Sequence, residues 1–170
     1  MTAKATGRYE TRGAVDLVAL TRTFQAPISD VWEAVTESDR LVRWFGTWSG
    51  DPASGSVQVR MNAEGEDVPE VTFEIRACEP PHRLTIHTGD GEAAWDLGLE
   101  LTESGGVTTL ELTQVIDDPA GLASIGPGWE YYLDRLVAAQ TGADPGLIDF
   151  ERDYYPALSG YYTSLPRAGG

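Results

Sequence analysis

The polar residues set inside apolar alternation are where this sequence could do chemistry. Gln114 continues the two-residue step of Leu110 and Leu112 and so shares their face, and His87 stands just beyond Ile86 at the end of a short alternating run. A histidine there can hydrogen-bond a ligand or move a proton near neutral pH. It can equally be a strand-end side chain satisfied by water. His82 falls in a Pro-Pro-His turn with no nucleophile at suitable spacing, and His82, His87, Asp90 and Asp96 together match no standard metal site. HExxH, GxSxG and P-loop patterns are absent. No catalytic residue, metal or cofactor is assigned, and nothing in the sequence requires an enzyme.

Cys78 is the one cysteine, which excludes an internal disulfide, a thiolate zinc cage and a CxxC redox pair, and is expected to be a small buried thiol in a strand. Twenty-seven acidic residues against twelve basic ones, a net charge of −15, oppose binding to nucleic acid or an anionic membrane. No apolar run reaches the length of a membrane span, and the first residues lack the apolar core of a secretion signal. The expectation is a soluble, cytoplasmic protein, monomeric or weakly homodimeric, whose partner is a small molecule.

The elements that must position these residues follow from period. Val15 to Gln25 reads as a strand ended by Pro27, and Ser29 is the expected N-cap of a short helix carrying Val31, Trp32 and Val35. Ser38 is the expected cap of a second one, carrying Leu41, Val42, Trp44 and Phe45 and stopped by Gly46. Two-residue alternation then recurs in Val57, Val59 and Met61, in Val71, Phe73 and Ile75, in Leu84 and Ile86, in Trp95, Leu97, Leu99 and Leu101, and in Leu110 and Leu112. Turn chemistry at 65–69, 79–83, 89–92 and 103–106 makes this an antiparallel meander, with Arg60 and Glu100 pointing outward. Gly121, Gly126, Pro127 and Gly128 argue against one continuous helix from Asp118. The regular helix is expected from Gly126 to Gly142, with Trp129, Leu133, Leu136 and Val137 on its buried face. Residues 1–14 read as a flexible arm or an added strand, 15–142 as the domain, and 143–170 as an extension whose Phe150 and four tyrosines imply docking, with a short helix from Ile148 to Tyr155.

The phrase FQAPISDVWEAVTESDRLVRWFG resembles the opening of the START-like (SRPBCC) superfamily, in the branch named after the activator of Hsp90 ATPase homologue 1. Ala26, Pro27, Val31, Trp32, Ala34, Thr36, Leu41, Trp44 and Phe45 carry the likeness, and 95–115 and 128–136 are similar to that branch's last hairpin and terminal helix. The resemblance implies an α+β helix-grip fold, a curved antiparallel sheet wrapped around a long C-terminal helix, with two short helices after the first strand. It also implies a cavity between sheet and helix. Trp44, Phe45, Trp48, Trp95, Trp129, Tyr131 and Tyr132 are the bulky candidates for its lining, with His87 and Gln114 as polar contacts; plain core packing is the alternative for each.

The superfamily's activities include lipid and hormone carriage, polyketide aromatases and cyclases, co-chaperone-like proteins, and the enediyne (calicheamicin-type) self-sacrifice resistance proteins. The last of these imply that a glycine Cα at the pocket wall gives a hydrogen atom to the antibiotic's diradical. Gly98, Gly126 and Gly128 are the candidates here, with Gly89 and Gly91 behind them; each also has a conformational reason to be glycine. The function expected is therefore binding of a hydrophobic, aromatic or polyketide-type natural product, for sequestration or self-sacrifice. An aromatase or cyclase steered by His87, Gln114 or a tyrosine is the alternative, and interaction with an Hsp90-type chaperone the third reading.

Overall fold

The computed structural model describes residues 3–62, 68–89 and 94–165. Asp90, Gly91 and most of the turns expected at 65–69 and 89–92 lie outside them. Eight strands form one antiparallel sheet: β1 (Arg8–Arg12), β2 (Val15–Phe24), β3 (Gly46–Ser49), β4 (Ser56–Met61), β5 (Val71–Glu79), β6 (Arg83–Thr88), β7 (Trp95–Ser104) and β8 (Val107–Val115), in the order β1-β2-β8-β7-β6-β5-β4-β3. Helices α1 (Ile28–Thr36) and α2 (Ser38–Leu41) follow β2, and the long helix α3 (Leu122–Thr141) follows β8. This is the α+β helix-grip class. Because residues 8–12 pair with β2 as an additional strand, the two short helices come after the second strand rather than the first.

By contacts the chain divides into two compact units, one built from the chain ends up to Arg22 and from Glu111 onward, the other from Thr23–Leu110. Within Thr23–Leu110, β3 to β7 pair in hairpin register, and a shift between Ile75 and Ala77 marks a bulge in β5. Arg60 and Glu100 are exposed, as the alternation requires. Cys78 is exposed, not buried: it lies past the bulge near the end of β5, where the sheet stops covering its side chain.

The two expected serine caps are not caps. α1 begins at Ile28 with Pro27 in the N-cap position, and its first free amide, Ile28 N, donates to the Glu103 carboxylate at 2.8 Å. Ser38 is the first residue inside α2, where its Oγ accepts from Trp48 N at 3.2 Å. α2 is also shorter than expected, ending at Leu41 before Trp44 and Phe45.

In the other unit, α3 starts four residues earlier than its sequence suggests. Asp118 caps a preceding turn through Ala120 N at 3.0 Å, and the helix then runs unbroken through Pro127. A proline in a helix leaves the carbonyl four residues earlier without its amide donor. Here that carbonyl belongs to Ala123, and Ser159 Oγ donates to it at 2.7 Å. Gly142, at φ 81°, stops the helix in the left-handed conformation that glycine adopts without steric cost. The tail forms α4 (Phe150–Asp153) and α5 (Ser159–Thr163) instead of one helix at 148–155.

Candidate functional site

The strand register places one row of side chains across the apolar face of the sheet in Thr23–Leu110. Val57 faces Phe73, Phe73 faces Thr88, and Thr88 faces Trp95, so the four lie side by side across β4, β5, β6 and β7. The next row on that face is Ile75, Ile86 and Leu97. Phe45 extends the aromatic wall, its ring edge-on to Phe73 at 6.5 Å and against Trp44 at 5.4 Å. Phe73, Val57 and Phe45 are buried, whereas Ile75, Ile86, Trp95, Leu97 and Leu99 are each left partly open to solvent. The middle of the sheet thus carries a contiguous apolar surface that is incompletely covered.

Thr88 sits in that surface with 4% of its area exposed, and its hydroxyl has no hydrogen-bond partner among the described residues. His87 points the other way. It pairs across the polar face with Asp96, Nδ1 to Oδ1 at 2.7 Å, with Glu74 facing it from β5. Gly98 lies on that same polar face, opposite Thr85. Among the described residues no group of three His, Cys, Asp or Glu side chains could hold a metal.

The tryptophans of the first strand-helix segment have other work. α1 ends with free carbonyls, as every helix does. Trp44 Nε1 donates to Ala34 O at 2.9 Å and Trp48 Nε1 to Thr36 O at 2.8 Å, so both indoles close the last turn of α1. Their polar atoms are satisfied within the protein, leaving only ring faces to offer a ligand.

The unit of the chain ends holds the remaining candidates. Gln114, 3% exposed, accepts from Trp129 Nε1 at 2.6 Å, so each satisfies the other. Tyr132 lies between Trp129 and Tyr131, with ring centroids at 6.0 and 5.3 Å, and Tyr131 meets Phe150 and Tyr154 edge-on at 5.2 and 5.5 Å. The tail therefore docks on α3 through aromatic edges.

A buried polar cluster that sequence reading did not single out lies beside it. Glu130, fully buried, pairs with Arg22 Nη2 at 2.7 Å and accepts from Thr6 N at 2.7 Å and Gly7 N at 3.1 Å. The Tyr162 hydroxyl also donates to Glu130. Arg22 reaches Asp134 at 3.0 Å, which accepts in turn from Tyr154 Oη at 2.7 Å. Burial first, and the carboxylates second, push both phenols above their ordinary range. A methyl group on Gly126 would overlap the Tyr162 ring, and one on Gly7 would come within 2.5 Å of its oxygen. These two glycines form the slot that admits Tyr162. Gly128 differs: nothing lies within 4 Å of where its side chain would begin. The sequence signal was available, since Arg22 falls in phase with Val18 and Leu20, and Glu130 sits next to Trp129 in the apolar stripe.

Several solved structures share this architecture. CalU16 from Micromonospora echinospora is 27% identical, covering 95% of this chain and 98% of that one, with a TM-score of 0.70. DynU16, a protein of the dynemicin biosynthetic locus, is 28% identical over 76% of this chain and about half, 49%, of its own, at a TM-score of 0.65. A Bordetella parapertussis protein, 22% identical with 99% and 97% covered and a TM-score of 0.73, shares the fold. No curated protein sequence matches. Residues 25–140, from just before α1 to the last turn of α3, match the family described as Activator of Hsp90 ATPase homolog 1-like protein, and the chain belongs to that family.

Proposed function

We propose that this protein binds a hydrophobic, aromatic natural product of polyketide type on the apolar face of β5, β6 and β7. The observation that carries this reading is the incompletely covered row of Ile75, Ile86, Trp95, Leu97 and Leu99. Apolar area left in water costs about 25 cal/mol per Å², and a contiguous patch marks a binding surface. A flat aromatic ligand would cover it. The likeness to CalU16 over nearly the whole chain, and to a protein of the dynemicin locus, supports an enediyne-type ligand and a role in sequestration or self-resistance.

In the sacrificial form, the diradical's aryl carbon takes a hydrogen atom from a glycine Cα: the glycine C–H bond breaks, an arene C–H bond forms, and a radical stays on the backbone. Gly126 is shielded by the Tyr162 ring and Gly98 lies on the face opposite Trp95, whereas Gly128 faces open space. Of the two candidates on α3, Gly128 is thus the unshielded one. For the aromatase or cyclase alternative, His87 would have to reach the aromatic row, and it stands on the opposite face, bonded to Asp96.

The binding test is titration with 1-aminoanthracene, followed by the probe's fluorescence. Saturable one-to-one binding is expected, weakened about tenfold in Trp95→Ala, since an aromatic pair contributes about 0.5–1.5 kcal/mol and 1.4 kcal/mol is tenfold. Absence of saturable binding overturns the reading. Incubation with an enediyne and a thiol under air, where dioxygen adds to the Cα radical and the chain breaks at that glycine, tests the sacrificial form by mass spectrometry: an intact chain removes it.

A further inference from the structure

We infer that Thr88 is the residue that selects the ligand, by hydrogen-bonding an oxygen carried on its aromatic ring, a quinone-type carbonyl or a phenol. This rests on the proposed binding face and names the chemistry that face prefers. Thr88 lies in the strand register between Phe73 and Trp95, with Ile86 two residues before it on the same face, so its lateral neighbours are two aromatic rings. Its hydroxyl is buried and without a partner among the described residues. Valine has the same branched shape and equal suitability for a strand, without the cost of a desolvated hydroxyl. A threonine here is thus the less stable choice for the empty protein, and its hydroxyl, closed to solvent there, gains a partner when an oxygenated ring entering beside Trp95 displaces the side chains that cover it.

Water is a poor substitute. A buried water needs two to four polar partners, roughly three on average, and Phe73, Val57 and Ile86 around this hydroxyl offer none. A ring oxygen needs a single donor, and the rest of a flat aromatic ligand finds Trp95 and Phe73 on either side. The hydroxyl can donate to a carbonyl or accept from a phenol, so either oxygen satisfies it.

The experiment compares the full chain with Thr88→Val and Thr88→Ser, titrated with 1,4-naphthoquinone, 2-naphthol and unsubstituted naphthalene. Thr88→Val is expected to weaken the two oxygenated probes by roughly threefold to tenfold, the worth of one hydrogen bond, and to leave naphthalene unchanged. Thr88→Ser, which keeps the hydroxyl, retains the preference. Without ligand, Thr88→Val is expected to raise the unfolding midpoint. Equal effects on all three probes, or none, overturn the inference while leaving the binding face intact. A lowered midpoint in ligand-free Thr88→Val also overturns it, because the hydroxyl would then be satisfied inside the protein. If no probe binds the unaltered protein, the binding reading falls and this inference with it.

Discussion

Gly126→Ala is the substitution for which this structure and helix propensity give opposite answers. Position 126 lies inside α3, where alanine is more favourable than glycine by about 0.8–1.0 kcal/mol. On propensity alone the variant gains stability. The three nearest atoms to an added methyl, however, all belong to the Tyr162 ring, and all three overlap it. The ring cannot swing aside. It is fully buried, its hydroxyl is held by Glu130, and Gly7 N donates to it at 3.2 Å. Alanine therefore displaces Tyr162, and losing a buried aromatic side chain costs about 3–5 kcal/mol. Subtracting the helix gain leaves a destabilisation of roughly 2–4 kcal/mol.

Urea denaturation followed by tryptophan fluorescence measures that difference, and a double-mutant cycle with Tyr162→Ala assigns it. With the ring gone, Gly126→Ala is expected to change sign and stabilise by about 0.5–1 kcal/mol, the ordinary helix gain. Gly128→Ala, with nothing within 4 Å of the new methyl, is expected to stabilise in the unaltered background. If Gly126→Ala is as stable as the parent, or is equally damaging with and without Tyr162, then Tyr162 does not occupy the slot and the account of the docked tail is wrong.

Tyr162 and Tyr154 also set the alkaline limit of the fold. Their phenols are held protonated above the ordinary value near 10, by burial first and by Glu130 and Asp134 next. Their contribution is complete below pH 10 and is lost as pH rises and the unfolded phenols ionise, at roughly 1.4 kcal/mol per pH unit for each tyrosine. Stability followed from pH 8 to 11 in Tyr162→Phe should fall less steeply; an unchanged slope refutes the assignment. Ser159→Ala should cost about 0.5–1.5 kcal/mol by orphaning the Ala123 carbonyl, and almost nothing when combined with Pro127→Ala, which restores the helix's own amide donor. An equal cost in both backgrounds means that Ser159 is not compensating for the proline.

The sheet was legible because its cause is local: alternation sets which residues face the core, and every apolar run from Val57 to Leu112 lies within an observed strand. The helix starts were not, because their causes are distant in the chain. Pro127 and three glycines predict a break in the helix, and the proline is tolerated because Ser159, 36 residues beyond Ala123, supplies that carbonyl's missing donor. Ser29 has the chemistry of an N-cap, yet α1 starts one residue before it, where Glu103 from β7 accepts from Ile28 N. Cys78 was misplaced because residue type outweighed phase: the alternation of Val71, Phe73 and Ile75 already puts position 78 on the polar face, and although the bulge sets it opposite Leu84 it is exposed one residue from the end of β5. Thr88 was within reach. Leu84 and Ile86 establish a phase in which position 88 belongs to the apolar face, so a threonine there was the anomaly, while the neighbouring His87, chosen for its chemistry, is out of phase.

That contrast separates packing from binding more sharply than aromatic content does. Five tryptophans favour an aromatic ligand only weakly, and here three of them have bonded indoles: Trp44 and Trp48 close α1, and Trp129 is held by Gln114. Their hydrogen bonds are already complete and would be the same with the site empty. The Glu130 cluster is likewise self-sufficient, with Arg22, Thr6, Gly7 and Tyr162 all directed at one carboxylate, so its chemistry is spent on holding the tail to α3. What is left over is a partly covered apolar surface beside one buried hydroxyl with no partner among the described residues. A folded chain rarely leaves a buried polar atom unsatisfied, because doing so costs about 1–3 kcal/mol. The place where that cost is accepted is the place where something else is expected to bind.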